Sequence, residues 1–219
     1  MFKLDAPNRR NPIAREGWGY ILVLALIALF FWAMRLPVWA TLFTLITAFV
    51  VYFFRDPERV IPEGEKTVLS PADGRVVQIE PVTEEKFLKG PAVKVSIFMS
   101  LFDVHVNRNP LTGRILDTDY APGKFLRADL KQASVSNERN ALLVENEQGS
   151  KIVVVQVAGL IARRIVCRVK KSDPVERGKR FGLICFGSRL DIYLPEGATV
   201  QVKLGQKTRA GETILGMLP

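Results

Sequence analysis

The chain has one histidine and two cysteines in 219 residues. A single imidazole, His105, excludes a clustered histidine metal site. Cys167 and Cys185 make neither a disulfide framework nor a zinc site. Both lie in apolar runs and read as small core residues. No metal is expected. Neither of the common glycine-rich nucleotide loops occurs. Acidic charge is in short supply: 31 Lys and Arg stand against 22 Asp and Glu, a formal net charge of +9. Most of the excess falls in residues 151–190, where the only acidic residues are Asp173 and Glu176. On a membrane-attached domain such a basic window faces anionic lipid headgroups. No recognition helix or RNA-binding motif accompanies it, so nucleic acid is not the expected partner.

Long hydrophobic runs are confined to the N-terminal quarter. Residues 1–16 are polar and basic, with Lys3, Arg9, Arg10 and Arg15. Two charge-free runs follow, 17–34 and 36–54, separated by Arg35. As helices each spans roughly 27–28 Å, close to the thickness of a bilayer core. No small-residue cleavage site stands between them, which argues against a secretory signal. Pro37 is suited to start the second helix. Basic residues flank the outer sides of the pair, Arg9, Arg10 and Arg15 before it and Arg55 and Arg59 after it, and the positive-inside tendency places both ends in the cytoplasm. The expectation is a membrane hairpin over 17–54 that spans or dips into the inner membrane. The remaining domain, 55–219, is then on the cytoplasmic side.

From Val68 the pattern changes to short β-rich runs separated by Gly and Pro: 75–79, 92–98, 113–116, 141–145, 151–157, 165–169, 181–186, 189–194 and 199–202. Turns at Asp73-Gly74, Gln148-Gly149 and Glu196-Gly197 and a spacing near ten residues predict a mainly β fold, an antiparallel β-sandwich or open barrel. Only 126–133 has much helical character. Ser70-Pro-Ala-Asp-Gly-Arg-Val-Val77 and the tail from Pro195 to Leu215 both look like the hairpins of lipoyl- and biotinyl-carrier domains. No carrier lysine accompanies them.

Three polar positions stand out against this background: Asp73 in a tight turn, His105 in Val-His-Val, and Ser188 after Gly187. Acid, imidazole and hydroxyl are the parts of a triad, which is recognised by geometry rather than by order. A glycine carbonyl is the least crowded acyl group that a following serine can attack, and glycine tolerates unusual backbone angles. The same residues also have plain structural uses. Gly-Ser and Asp-Gly are common turn pairs, and a lone histidine is often a hydrogen-bonded core residue.

Ser70-Pro-Ala-Asp-Gly74, Phe98-Met-Ser-Leu-Phe-Asp-Val-His-Val-Asn-Arg-Asn-Pro110, Tyr120-Ala-Pro-Gly-Lys-Phe125, Ser136-Asn-Glu-Arg-Asn140, Ala158-Gly-Leu-Ile-Ala-Arg-Arg-Ile165 and Phe186-Gly-Ser188 together resemble the short form of the phosphatidylserine decarboxylase family. The resemblance runs in order over most of 50–219. It implies a self-processing proenzyme. Ser188 Oγ attacks the Gly187 carbonyl in an N-to-O acyl shift, and loss of the α-proton expels the acyl group. Hydrolysis of the dehydroalanine that remains then gives a pyruvoyl group on residue 188 and releases ammonia. The products are a β chain, 1–187, and an α chain, 188–219, which remain together as a heterodimer that can assemble further. The pyruvoyl group replaces pyridoxal phosphate: it forms a Schiff base with the serine amine of phosphatidylserine and draws off the electrons released with CO2. The resemblance makes His105 the proton donor and Asp73 the acid that assists it. Arg163, Arg164 and Arg189 are candidates for the lipid phosphodiester by charge and sequence proximity. Long-form members carry a second histidine where Arg108 stands here, so either His105 serves both processing and turnover or another group takes one role. Two other readings fit the residues: a membrane-tethered β-sandwich carrier or phosphotransfer module with His105 as acceptor, and a pyruvoyl decarboxylase for a soluble amino acid.

Overall fold

The computed structural model describes residues 11–64, 66–124, 136–159, 164–185 and 187–219. The run 126–133, expected to have helical character, lies outside the described residues. The chain divides between Glu58 and Arg59 into two compact units.

In the first unit a 3-10 turn, Arg15–Gly17, leads into α1, Trp18–Ala33, and a tight connection leads into α2, Pro37–Phe53. Arg35 takes a left-handed angle, φ 55°, to reverse the chain. Pro37 sits in the first turn of α2, where its missing N–H removes no helical bond. Aromatic stacking joins the two helices: Phe31 packs on Trp39 and Phe43 with ring centroids 6.1 and 5.4 Å apart. The open end is fastened by Ala14 N–H donating to Phe54 O (2.7 Å) and Asp56 N–H to Pro12 O (2.7 Å). Gly17 lies against Phe54, where a Cβ would come within 2.6 Å of that side chain. Arg15–Ala33 is long and apolar enough to cross a membrane by length and composition, and Pro37–Phe53 is an apolar helix of shorter length. Large apolar side chains such as Leu22, Leu29 and Val38 are exposed along both helices. A helix apolar all round needs a non-aqueous neighbour.

The second unit is antiparallel β. Its strands are β1 Thr67–Leu69, β2 Gly74–Glu84, β3 Gly90–Met99, β4 Val106–Arg108, β5 Gly113–Ala121, β6 Arg139–Glu145 and β7 Lys151–Ala158. They continue with β8 Ile165–Cys167, β9 Pro174–Val175, β10 Arg180–Ile184, β11 Ser188–Pro195, β12 Thr199–Val200, β13 Lys207–Thr208 and β14 Ile214–Met217. One curled sheet has eight strands in the order β13-β2-β3-β11-β7-β6-β5-β9. Two smaller sheets have the orders β1-β14-β12 and β4-β10-β8. The main core lies on one face of the large sheet, where Val95, Ile97, Met99, Val154, Leu190, Ile192 and Leu194 pack with Phe181 and Leu215.

Several strands run further than their apolar patterns. β2 continues past Pro81 to Glu84, because β13 covers only Arg75 and Gly74 and leaves the outer edge of β2 open there. β5 continues to Ala121 through a bulge between Ile115 and Asp117, which breaks the alternation that marks a strand in sequence. The two carrier-like segments pair with one another. Lys207 and Thr208 oppose Arg75 and Gly74, and Gly211 N–H donates to Ser70 O (2.8 Å). Gly74 is required at its place: a Cβ would lie 2.2 Å from the Phe98 carbonyl oxygen.

Candidate functional site

The chain changes sheets between β10 and β11. Ile184 pairs with β8 in a small sheet, whereas Ser188 opens a central strand of the large one, opposite Met99 and Ala158. Gly187 makes the corner with φ 67°, a left-handed angle that favours glycine. Among the described residues a Cβ there would meet nothing within 4 Å. The backbone angle, not crowding, therefore asks for glycine, and space remains open beside the Gly187-Ser188 peptide. Ser188 itself is fully buried. Its hydroxyl donates to Met99 Sδ at 3.8 Å, a weak acceptor that leaves the oxygen lone pairs uncommitted.

His105 stands in the loop between β3 and β4. Asp103 folds that loop: Ser100 N–H and Ser100 Oγ both donate to its Oδ2, at 2.8 and 2.7 Å. His105 Nδ1 lies 2.9 Å from the Asp103 carbonyl oxygen. A carbonyl only accepts, so Nδ1 carries the proton and Nε2 keeps its lone pair. Nε2 faces the junction, and Gly187 N–H donates to it at 3.5 Å. The ring is buried, and the His105 carbonyl accepts from Ile184 N–H at 3.4 Å, which ties this loop to the end of β10. A buried imidazole thus contacts the amide of the residue just before Ser188.

Asp73 precedes β2 and is 9% exposed. Arg59 Nη2 reaches its Oδ2 at 2.7 Å, and Ala210 N–H donates to Oδ1 at 2.7 Å. Arg59 also lies 3.6 Å from Glu212. Desolvation raises the Asp73 pKa above its ordinary value. The Ala210 N–H and the Arg59 charge pull it back in part, and the nearby Asp103 charge adds to the rise. The imidazole Nδ1 is met by the Asp103 carbonyl, while the Asp73 carboxylate is held by Arg59 and Ala210.

The structure therefore brings Ser188, Gly187 and His105 to one corner. Arg59, the partner of Asp73, was read in sequence only as a basic flank of the apolar hairpin. Its signal was its place in Arg55-Asp-Pro-Glu-Arg59, which carries no hint of a contact with residue 73. Of the three arginines considered for a phosphodiester, Arg163 lies outside the described residues. Arg164 is exposed, and its carbonyl accepts from Cys185 N–H at 3.2 Å, beside the corner. Arg189 is 1% exposed on the other face of β11, with Nε 2.9 Å from Asp191 Oδ1. Arg108 is buried, and its Nη1 donates to Gly178 O at 2.9 Å. A groove of about 360 Å³ lined by Glu84, Lys86, Arg139 and Tyr193 also lies on the face opposite Ser188. Among the described residues no group of three or more His, Cys, Asp or Glu is placed to hold a metal ion.

Fold and corner together describe an antiparallel β protein in which a left-handed glycine, a buried serine and a buried histidine meet at a strand junction. The family model for phosphatidylserine decarboxylase matches residues 46–216. Among curated proteins, the phosphatidylserine decarboxylase proenzyme of Geobacter metallireducens is 51% identical over 97% of this chain and 99% of its own length. Those of Geotalea uraniireducens and Aromatoleum aromaticum are each 49% identical, again over 97% of this chain and 99% of theirs. The chain belongs to the phosphatidylserine decarboxylase family.

Proposed function

We propose that the chain is a self-processing proenzyme that cuts itself between Gly187 and Ser188 and then decarboxylates phosphatidylserine to phosphatidylethanolamine. The observation that carries the reading is the corner itself: a left-handed glycine, a buried serine with a loosely held hydroxyl, and His105 Nε2 at 3.5 Å from the Gly187 nitrogen. Family membership and the word proenzyme in the names of its relatives support it.

In this reading His105 Nε2 is the base of the corner. It takes the Ser188 hydroxyl proton as Oγ attacks the Gly187 carbonyl carbon, and it returns a proton to the displaced Ser188 nitrogen. The Asp103 carbonyl holds the imidazole in the tautomer this needs. Asp73, whose carboxylate is held by Arg59 and Ala210, is given by the family resemblance the part of supporting the charge that the imidazole gains.

The residues present fit the pyruvoyl group that this cut leads to. The Ser188 position is buried at the head of a strand hydrogen-bonded on both sides, and open space adjoins Gly187. The group supplies the electron sink that loss of CO2 from an amino acid requires. His105 is then the proton donor to the substrate carbon. The 188–219 segment stays with the rest of the chain because β11 lies between β3 and β7, β13 pairs with β2, and β14 pairs with β1. The apolar helices and the basic window over 151–190 support a location at a membrane whose lipid is the substrate, with both ends of the hairpin in the cytoplasm.

The test is CO2 release from phosphatidylserine vesicles, run beside a denaturing gel. The wild-type chain is expected to release CO2 and run as two fragments, and Ser188→Ala as one inactive chain of 24.5 kDa. Two fragments from Ser188→Ala would remove the assignment of Ser188. Turnover of free serine at the rate of the lipid would replace the substrate class, and an uncut wild-type chain phosphorylated on His105 would favour a phosphotransfer module.

A further inference from the structure

A row of buried amides runs from the middle of the large sheet to the nucleophile. Asn140 on β6 donates through Nδ2 to Gln156 Oε1 at 3.2 Å. Gln156 on β7 donates through Nε2 to Asn107 Oδ1 at 2.9 Å. Asn107 on β4 is left with its donor end forward, and Nδ2 lies 3.8 Å from Met99 Sδ. That sulfur also receives the Ser188 hydroxyl, at 3.8 Å. Gln156, Asn107, Met99 and Ser188 are all fully buried.

The order of donors is fixed by chemistry. A side-chain amide has one acceptor oxygen and one donor nitrogen. Because Gln156 spends its N–H on Asn107 Oδ1, the Asn107 nitrogen must face the other way, toward the thioether and Ser188. A thioether is a weak acceptor, and the second N–H of Asn107 Nδ2 has no partner among the described residues. Burying a donor that is only weakly accepted is unfavourable, so Nδ2 is poised for a better acceptor. Gly182 makes room for the row: a Cβ there would stand 3.1 Å from Gln156 Nε2 and 2.1 Å from the Val166 carbonyl oxygen.

We infer that Asn107 is a further catalytic residue of self-processing, donating to Ser188 Oγ as that oxygen is expelled. The inference rests on the self-processing reading of the Gly187-Ser188 junction. After the acyl shift Oγ is an ester oxygen bonded to the Gly187 carbonyl carbon and to Cβ of residue 188. A base removes the Cα proton of residue 188, and the C–H electron pair becomes a Cα=Cβ bond. The Cβ–Oγ bond breaks, and its pair stays on Oγ, which departs as part of the Gly187 carboxylate. No oxidant or reductant is consumed. Negative charge gathers on the one oxygen that shares a sulfur contact with the underused amide. Met99, unbranched and flexible, is the residue that yields to let them meet.

The test is maturation of the full chain with Asn107→Asp, which keeps the shape and the acceptor for Gln156 but removes the donor. Maturation is followed by gel with and without hydroxylamine, which cuts esters and spares the ordinary peptide bond. Slowing on the order of 10²-fold is expected. The stalled chain should be cut by hydroxylamine into 1–187 and a 188–219 fragment that begins with an ordinary serine and a free amino end. Gln156→Glu is the second variant. Its acceptor-only carboxylate turns the Asn107 nitrogen away from Ser188 with residue 107 intact, so it should stall at the same ester, and it decides the matter if Asn107→Asp does not fold. Normal maturation, or a stalled chain that resists hydroxylamine, overturns the role of Asn107. A wild-type chain that never cuts overturns the self-processing reading instead.

Discussion

β11 has two faces, and they are buried for different reasons. On one face Ser188, Leu190, Ile192 and Leu194 follow one another into the main core, and apart from Ser188 all are aliphatic. On the other face Arg189 and Asp191 are each only 1% exposed and form an ion pair, joined by Lys94 Nζ at 3.5 Å from Asp191. Tyr193 continues that face beside Val153 and Val155, and burial pushes its phenol well above the ordinary range. The aliphatic face gains by leaving water, at about 25 cal/mol per Å². The ionic face is tolerated only while its charges stay matched, because desolvating one charge alone costs several kcal/mol. Ser188, the proposed nucleophile, sits at the head of the first face, so the sheet separates it from the charged cluster one residue away.

That contrast orders the expected effects. His105→Ala removes the imidazole beside the head of the strand and should slow cutting, and should slow decarboxylation by the fraction that is cut about 10²- to 10⁴-fold, the usual worth of a positioned acid–base group. Unchanged turnover in fully processed His105→Ala protein would take the imidazole out of the mechanism. Arg189→Met leaves Asp191 facing Lys94 with one cation fewer and should cost about 3–5 kcal/mol in denaturant titrations. The folded fraction should still cut itself. Loss of cutting in protein that remains folded would give Arg189 a direct part in the site. Leu190→Ala, one residue along on the aliphatic face, should cost about 2–5 kcal/mol through its cavity, with the strand otherwise intact.

The smallest effect concerns Asp73. Burial raises its folded pKa above that of an ordinary carboxylate in the unfolded chain. Between those two values the native state binds more protons than the unfolded chain, so stability rises as pH falls through that window. Asp73→Asn should lose this slope in thermal melts taken across the acid range. An unchanged slope would mean that the carboxylate is not desolvated by its surroundings.

The two faces also show what the sequence makes legible. Alternating Leu190, Ile192 and Leu194 announce the strand, and Gly187-Ser188 marks the break before it. The same alternation leaves Arg189, Asp191 and Tyr193 looking like a solvated face, because single-strand periodicity says nothing about what covers the second side. Arg189 was a phosphodiester candidate by charge and sequence proximity alone, and neither signal reveals its ion pair with Asp191. Ser188 and His105 stood out by residue type, and the corner unites them. The contact of the Asp103 carbonyl with the imidazole was not readable, since backbone acceptors leave no mark on residue identity. Arg59 and the Asn140–Gln156–Asn107 row were missed for a related reason: each depends on side-chain pairings between residues 14, 16 or 49 positions apart, beyond any local pattern. β4 was missed because three residues are too few to show a period.

The central claim is that this chain cuts itself between Gly187 and Ser188. One intact-mass spectrum of the purified, active protein tests it. The account predicts two chains, 1–187 and 188–219, the smaller lacking a free amino group and lighter than an unmodified serine end would make it. A single chain of 24.5 kDa in protein that is evolving CO2 would contradict it.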